Sequence, residues 1–160
     1  RVRGAAVSAS YFSVLGIPPA LGRSFLPEED RGSGTRVVVL SHRVWTQNFN
    51  RSTDIVGRTV QLNGESYEVI GIMPAGFDPR SAGELNGSLP IDVWVPLSLL
   101  LGDVGGGTNI SVLGRIRADV TPPQLEAASA ALTVEYRQRL PRALAKETRL
   151  VFRPYQQALG

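Results

Sequence analysis

The strongest constraint on the fold is an Asn63-Gly64 pair between two segments in which apolar and polar residues alternate. Asn-Gly is the favoured pair for a type I′ turn, because both central residues of that turn have positive φ. Period-two alternation is typical of a strand with one buried face. The segment therefore predicts a tight β-hairpin in which Val60 and Leu62 share the buried face.

Other strands and helices are predicted on both sides of this hairpin. The run Val37–Leu40 is entirely apolar, which is typical of a strand covered on both faces. Ser41 follows it as the expected N-cap of a helix. Around these residues the sequence predicts a helix over 10–15 capped by Ser10, a strand over 36–40, a helix over 42–49 and a strand over 92–97.

The segment Leu26–Asp30 combines an early proline with three consecutive carboxylates, which predicts a short helical turn. Two interpretations follow. The carboxylates could bind a metal ion, or they could form a solvated turn that the helix dipole stabilises. The solvated turn is favoured, since no histidine or second acidic cluster is available beside these residues to complete a coordination shell.

The last third of the chain predicts strand, helix, strand. Thr121 and Gln124 have the spacing of a capping box. The helix is predicted to run to about Arg139. Its apolar residues recur every three or four positions and predict one buried stripe, made of Leu125, Ala128, Leu132, Tyr136 and Leu140. Strands are predicted over 109–116 and 149–153, a surface segment over 73–89, and a flexible linker over 102–108.

Composition excludes several classes of protein. The 160 residues contain no cysteine, so a disulfide framework and a thiol nucleophile are both excluded. Lys146, the only lysine, follows no glycine-rich loop, and no phosphate-binding motif is present. The arginines are scattered, which argues against a nucleic-acid surface. No segment approaches the roughly 20 apolar residues of a membrane span, so we expect a soluble piece whose anchor lies elsewhere.

The sequence does not indicate an enzyme. His42 is the only histidine, and a surface position is favoured for it over a catalytic one. The candidate carboxylates Asp54, Glu68, Glu84 and Asp92 lie mostly at turns or strand ends, and nothing distinguishes them. No catalytic, cofactor-binding or metal-binding residue is therefore assigned, no cofactor is expected, and the substrate-binding residues stay undetermined.

Several segments, taken in order over residues 4–100, resemble one family. The segments that carry this resemblance are Val7-Ser8 with Tyr11-Phe12 and Val14-Leu15-Gly16, then Gly22-Arg23-Ser24-Phe25 with Glu29-Asp30, then Val37-Val38-Val39-Leu40-Ser41 with Trp45 and Phe49, then Ile55–Gly64 and Tyr67–Pro74, and finally Asp92-Val93-Trp94-Val95-Pro96-Leu97. Together they resemble the MacB-like periplasmic core domain of FtsX-type ABC transporter permeases, and in detail the large duplicated permeases common in acidobacteria.

The resemblance implies an α+β fold in two parts. Residues 1–107 would form a mostly β, sabre-like inserted subdomain. Residues 108–160 would form a porter-like strand-helix-strand subdomain that is incomplete at its N-terminal half. The family lies at the periplasmic face of the bacterial inner membrane.

By the same resemblance, this non-catalytic extracytoplasmic domain would couple ATP hydrolysis to substrate export or to a periplasmic partner. Its expected partners are a cytoplasmic ATPase subunit or domain, reached through a membrane-spanning part outside this sequence, and a periplasmic adaptor or export substrate.

Two other functions stay open. The first is a free-standing extracellular module that binds peptide or glycan. It predicts a concave pocket with exposed aromatic side chains, whereas we expect Trp45 and Trp94 mostly in the core. The second is an enzyme whose carboxylates converge in the folded chain.

Overall fold

The computed structural model describes residues 1–32, 35–77, 90–100, 112–139, 147 and 149–152. These residues belong to two compact units. The first contains the described residues up to Leu100, and the second contains those from Val112 onward. The assignment of a sabre-like part to 1–107 and a porter-like part to 108–160 stays a prediction.

The described residues of the first unit form six strands and two α-helices. In chain order they are β1 (Gly4–Val7), α1 (Tyr11–Leu15), β2 (Leu21–Gly22), β3 (Val37–Leu40), α2 (His42–Phe49), β4 (Thr59–Leu62), β5 (Glu65–Ile72) and β6 (Val93–Pro96). Short 3₁₀ helices lie at Pro27–Asp30, Thr53–Ile55 and Leu97–Leu99.

The strands form one mixed sheet in the order β1-β6-β3-β5-β2, with β4 paired to β5. The pairs β1–β6 and β3–β5 are parallel. The pairs β3–β6, β2–β5 and β4–β5 are antiparallel. With its helices, the sheet confirms the predicted α+β class.

The predicted hairpin is confirmed. Strands β4 and β5 pair in antiparallel register down to Leu62 opposite Glu65. Asn63 and Gly64 have φ of 51° and 78°, the positive values that a type I′ turn requires. Val60 and Leu62 are half-buried and pack against the core, as their alternation predicts.

Strand β3 is buried on both faces, as predicted, because side chains on successive residues point to opposite sides of a sheet. All four of its residues are at most 1% exposed. Val37 and Val39 pack with Phe12 and Trp94, and Val38 and Leu40 pack into the core cluster on the opposite face.

Helix α2 begins and ends where the sequence predicts. The Ser41 hydroxyl accepts a hydrogen bond from the Val44 N–H at 3.1 Å, so Ser41 is the N-cap. Ser10 is the N-cap residue of α1, as predicted, but its side chain makes no capping hydrogen bond. The predicted surface segment also begins too early, because Met73 is fully buried and its N–H donates to the Leu40 carbonyl at 2.9 Å. Residues 78–89 of that prediction lie outside the described residues.

In the second unit, the predicted helix is confirmed as α3 (Pro122–Arg139). The Thr121 N–H donates to Gln124 Oε1 at 2.9 Å, and the Gln124 N–H donates to Thr121 Oγ1 at 3.4 Å, so the capping box is present. No helix within the described ranges is both long and apolar enough to cross a bilayer.

The strands predicted beside α3 are wrong where they are described, since 112–116 and 149–152 have no strand structure. The backbone carbonyl and N–H of Leu150 instead form hydrogen bonds with side chains of α3. Its carbonyl accepts from the Ser129 hydroxyl, and its N–H donates to Thr133 Oγ1 at 2.9 Å. Residues 102–111 and Arg153 lie outside the described residues.

The predicted apolar stripe of α3 is also wrong. Leu132 and Tyr136 are 43% and 38% exposed, whereas Ser129 and Thr133 are buried. The cause is that α3 packs against Leu150 through hydroxyl groups that hydrogen-bond its backbone. Leu125 is half-buried, and Leu140 lies outside the described residues.

Candidate functional site

The acidic turn is a structural ion-pair site, and the prediction of a solvated turn is wrong for Glu29. This side chain is buried, and its oxygens accept from the two terminal nitrogens of Arg23 at 2.7 and 3.1 Å. The Leu26 N–H donates to the same carboxylate at 2.8 Å. Burial raises the pKa of Glu29, but the Arg23 and Leu26 hydrogen bonds and the Arg23 charge outweigh burial and lower the pKa overall.

Asp30, the next residue, joins two other segments. Its Oδ2 accepts from the Ala9 N–H at 3.0 Å, and its Oδ1 accepts from the Ser98 N–H at 3.1 Å. The carboxylates of Glu29 and Asp30 are therefore occupied by donors of the chain itself. In the part of the chain that the structure describes, no three His, Cys, Asp or Glu side chains form a potential metal-binding group.

Asp92 is the third carboxylate that links distant segments. It is 3% exposed and lies just before β6. Its Oδ1 forms an ion pair with Arg43 on α2, and its Oδ2 accepts from the Arg3 N–H at 2.9 Å. Of the other candidate carboxylates, Asp54 and Glu68 are exposed and Glu84 lies outside the described residues. Asp92 thus stabilises the junction of α2, β1 and β6.

Trp94, Phe12 and Phe25 are buried together in the core of the first unit. Trp94 is fully buried, with its ring 5.8 Å from that of Phe12 and 5.4 Å from that of Phe77. Trp45 is half-buried, and its Nε1 donates to the Ser52 carbonyl at 2.9 Å. The core position predicted for Trp94 is confirmed, and this tryptophan is not available to stack on a peptide or a sugar.

A groove of about 400 Å³ opens beside α2, and we refer to it as the α2 groove. Its lining comes from the segments 74–77 and 90–91 and from six residues of α2 and its flanks, which are Ser41, His42, Arg43, Thr46, Gln47 and Arg51. Its volume lies within the range of small-ligand sites. Phe77 and Ile91 contribute apolar surface, whereas Arg43 and Arg51 contribute positive charge.

Sequence reasoning missed this groove, because its walls come from three segments that are distant along the chain. The only signal available was the pair of arginines eight positions apart at the two ends of the predicted helix. His42, which the sequence places at the surface, is half-buried at the same groove, with its ring 5.5 Å from that of Trp45.

Comparison with known proteins places this chain among transporter domains. The family model of the MacB-like periplasmic core domain matches residues 1–132. The macrolide export ATP-binding/permease protein MacB of Shigella dysenteriae serotype 1 is 31% identical over 100 residues. Its counterpart from Escherichia coli strain K12 is 30% identical over the same length. Each match covers 62% of this chain and only 14% of the relative.

Two solved structures have a similar fold. The periplasmic region of MacB from Actinobacillus actinomycetemcomitans has a TM-score of 0.57 at 22% identity, and the match covers 88% of this chain and 57% of that one. The extracellular domain of the noncanonic ABC-type transporter YknZ from Gram-positive bacteria has a TM-score of 0.64 at 19% identity, with coverage of 94% and 69%. The family-model match over residues 1–132 shows that the chain belongs to the MacB-like periplasmic core domain family.

Proposed function

We propose that this chain is a non-catalytic extracytoplasmic domain of an ABC transporter permease at the periplasmic face of the bacterial inner membrane. In this proposal it couples ATP hydrolysis by a cytoplasmic subunit or domain to a periplasmic adaptor or to an export substrate. The observation that carries the proposal is the family match over residues 1–132. The relatives named ATP-binding/permease proteins support the link to ATP hydrolysis.

The packing of the first unit suits a part that transmits motion. A domain relays displacement only when its elements move together, because a deformable part absorbs the motion locally. Strand β3 is buried on both faces of the sheet. Glu29, Asp30 and Asp92 link loops and termini to this sheet through ion pairs and backbone N–H groups. These contacts favour movement of the first unit as one rigid body.

Spin-label distances in the full-length permease test the coupling. One label pair joins Gln61, exposed on the hairpin of the first unit, to Val151, which is 62% exposed in the second unit. This 160-residue chain contains no cysteine, so labels introduced here are unique within it. We expect the Gln61–Val151 distance distribution to differ between the nucleotide-free and the ATP-trapped transporter.

A second pair within the first unit is the matched control. Gln61 and Asn48 are both exposed in that unit, and rigid motion predicts the same distance in both nucleotide states. If neither pair changes, the domain does not transmit the ATP cycle and a passive docking role is preferred. If the control pair changes as well, the first unit deforms, and the rigid-body part of the proposal is wrong.

A further inference from the structure

We propose that the α2 groove binds an acidic segment of a partner polypeptide, with Arg51 as the main contact for its carboxylates. This inference rests on the proposed function, which requires a partner outside the membrane, and it assigns that partner a site and a chemistry.

The charge balance of the groove favours an anionic ligand. None of the described residues that line it is acidic, whereas Arg43 and Arg51 both line it. Asp92, the buried residue that follows Ile91, pairs with Arg43. Arg51 is exposed and forms no ion pair with any described residue. Arg51 is therefore the positive charge that stays available for a carboxylate.

A second cavity of the same unit shows why charge distinguishes the α2 groove. That cavity, of about 490 Å³, is lined largely by serines and by both Asp30 and Arg31. Its one acidic and one basic side chain offset each other, and both oxygens of Asp30 already accept backbone N–H groups. Of these two cavities, the α2 groove has the uncompensated positive charge in its described lining.

The apolar wall favours a polypeptide over a free inorganic anion. Pro74, Phe77, Pro90 and Ile91 line the groove and are each half-buried, so a ligand side chain that covers them gains hydrophobic contact. A phosphate or sulfate ion has no group to place there. A segment with carboxylates on either side of an apolar residue matches both walls.

The spacing of the two arginines sets the pattern of the acidic segment. The six helical steps from Arg43 to Phe49 span roughly 9 Å, and Arg51 lies two residues beyond, after the left-handed Asn50 that ends the helix. An extended peptide advances about 3.3 Å per residue, and residues two apart lie on the same face. Two carboxylates four positions apart therefore span about 13 Å, with an apolar residue midway between them on the same face.

The test is a titration of the isotope-labelled 160-residue chain with a seven-residue peptide, acetylated and amidated at its ends. The peptide has glutamate at its second and sixth positions, leucine at its fourth and serine elsewhere. Its matched control has glutamine in place of both glutamates. We expect the acidic peptide to shift amide resonances in α2, in residues 75–77 and in Ile91, and to bind at least about tenfold more tightly than the glutamine peptide.

Variants of the protein identify the site. Arg51→Gln removes the available charge at an exposed position, and Arg58→Gln removes the same charge at an exposed position outside the groove. We expect about a tenfold increase in Kd for Arg51→Gln and less than about a twofold increase for Arg58→Gln. Unchanged amide spectra away from the substitution show that each variant folds.

Three results overturn the inference. The first is equal affinity of the chain for the acidic and the glutamine peptide. Failure to detect binding of either peptide counts as this result. The second is an equal loss for the two arginine variants, which would indicate attraction by overall charge. The third is a set of shifts outside the groove. The spin-label distances in the full-length permease are independent of this titration, so the inference can fail while the coupling proposal holds.

Discussion

The two units of this chain differ in what they bury. All described apolar side chains that are buried belong to the first unit, where the sheet offers two faces and helices or loops cover both. In the second unit the buried residues of α3 are Ser129 and Thr133, while Leu132, Val134 and Tyr136 are exposed. The comparison teaches that an apolar pattern buries a face only when the fold provides a surface to pack against it.

The largest expected effect tests this difference with two aromatic residues. Trp94→Ala removes a fully buried side chain, and we expect it to lower the free energy of unfolding by about 3–5 kcal/mol. Tyr136→Ala, on α3 and 38% exposed, should cost less than about 1 kcal/mol. Urea denaturation of both variants and the parent chain measures the two values. Similar losses would show that the two units bury their aromatic residues equally.

Two glycines provide the next contrast. A Cβ on Gly71 in β5 would lie 2.4 Å from the Arg23 carbonyl oxygen, and this backbone atom cannot move away without shifting β2. We expect Gly71→Ala to destabilise the chain by about 3 kcal/mol. A Cβ on Gly114 of the second unit meets no atom within 4 Å, so Gly114→Ala should be neutral or slightly stabilising. Equal midpoints in urea for the two variants would contradict the tight approach of β2 to β5.

The turn of the hairpin is expected to be somewhat less sensitive. Gly64 has φ of 78°, a conformation that a β-branched residue resists, so Gly64→Val should cost about 2 kcal/mol. No atom would contact the new Cβ within 4 Å, which means that the loss would come from the backbone alone. Gly64→Asn is the control, because asparagine tolerates positive φ and should retain most of the stability. A valine variant as stable as the parent would refute the type I′ turn.

The contrast between the units also explains which predictions from sequence succeed. The hairpin turn, the Ser41 cap and the capping box at Thr121 depend on residues within a few positions of each other, and each is confirmed. The family resemblance extends this reach over residues 4–100, because an ordered series of short motifs identifies a fold that no single motif defines.

Predictions that require a distant partner fail more often. A strand over 112–116 needs a hydrogen-bonded neighbour, and the stripe of α3 needs an apolar surface; neither partner can be identified from local pattern. The α2 groove was missed for the same reason, since its lining comes from separate segments. The ion pair of Glu29 with Arg23 joins residues only six positions apart, and it was missed because local pattern does not show burial. Three consecutive acidic residues give no indication that the middle one is buried.

The Glu29 ion pair predicts a smaller, pH-dependent effect. The folded pKa of Glu29 lies below its unfolded value near 4.3, so the ionised side chain stabilises the fold above that pH. This stabilisation is lost as the pH falls through the folded pKa. Glu29→Gln should therefore cost about 1 kcal/mol at pH 7, and the difference from the parent should shrink below about pH 4.5. Urea midpoints between pH 7 and pH 3 measure it. A difference that does not vary with pH would show that the charge of Glu29 contributes nothing.

The smallest effect is expected on the exposed face of α3. Leu132 is 43% exposed, and glutamine has a similar helix propensity, so Leu132→Gln removes little buried surface and does not disturb the helix. We expect a change in unfolding free energy within about 0.5 kcal/mol. Leu125→Gln is the matched comparison, because Leu125 is half-buried on the same helix and should cost more. A loss above about 1.5 kcal/mol at Leu132 would mean that this face packs against another part of the chain in solution, and the contrast between the two units would then disappear.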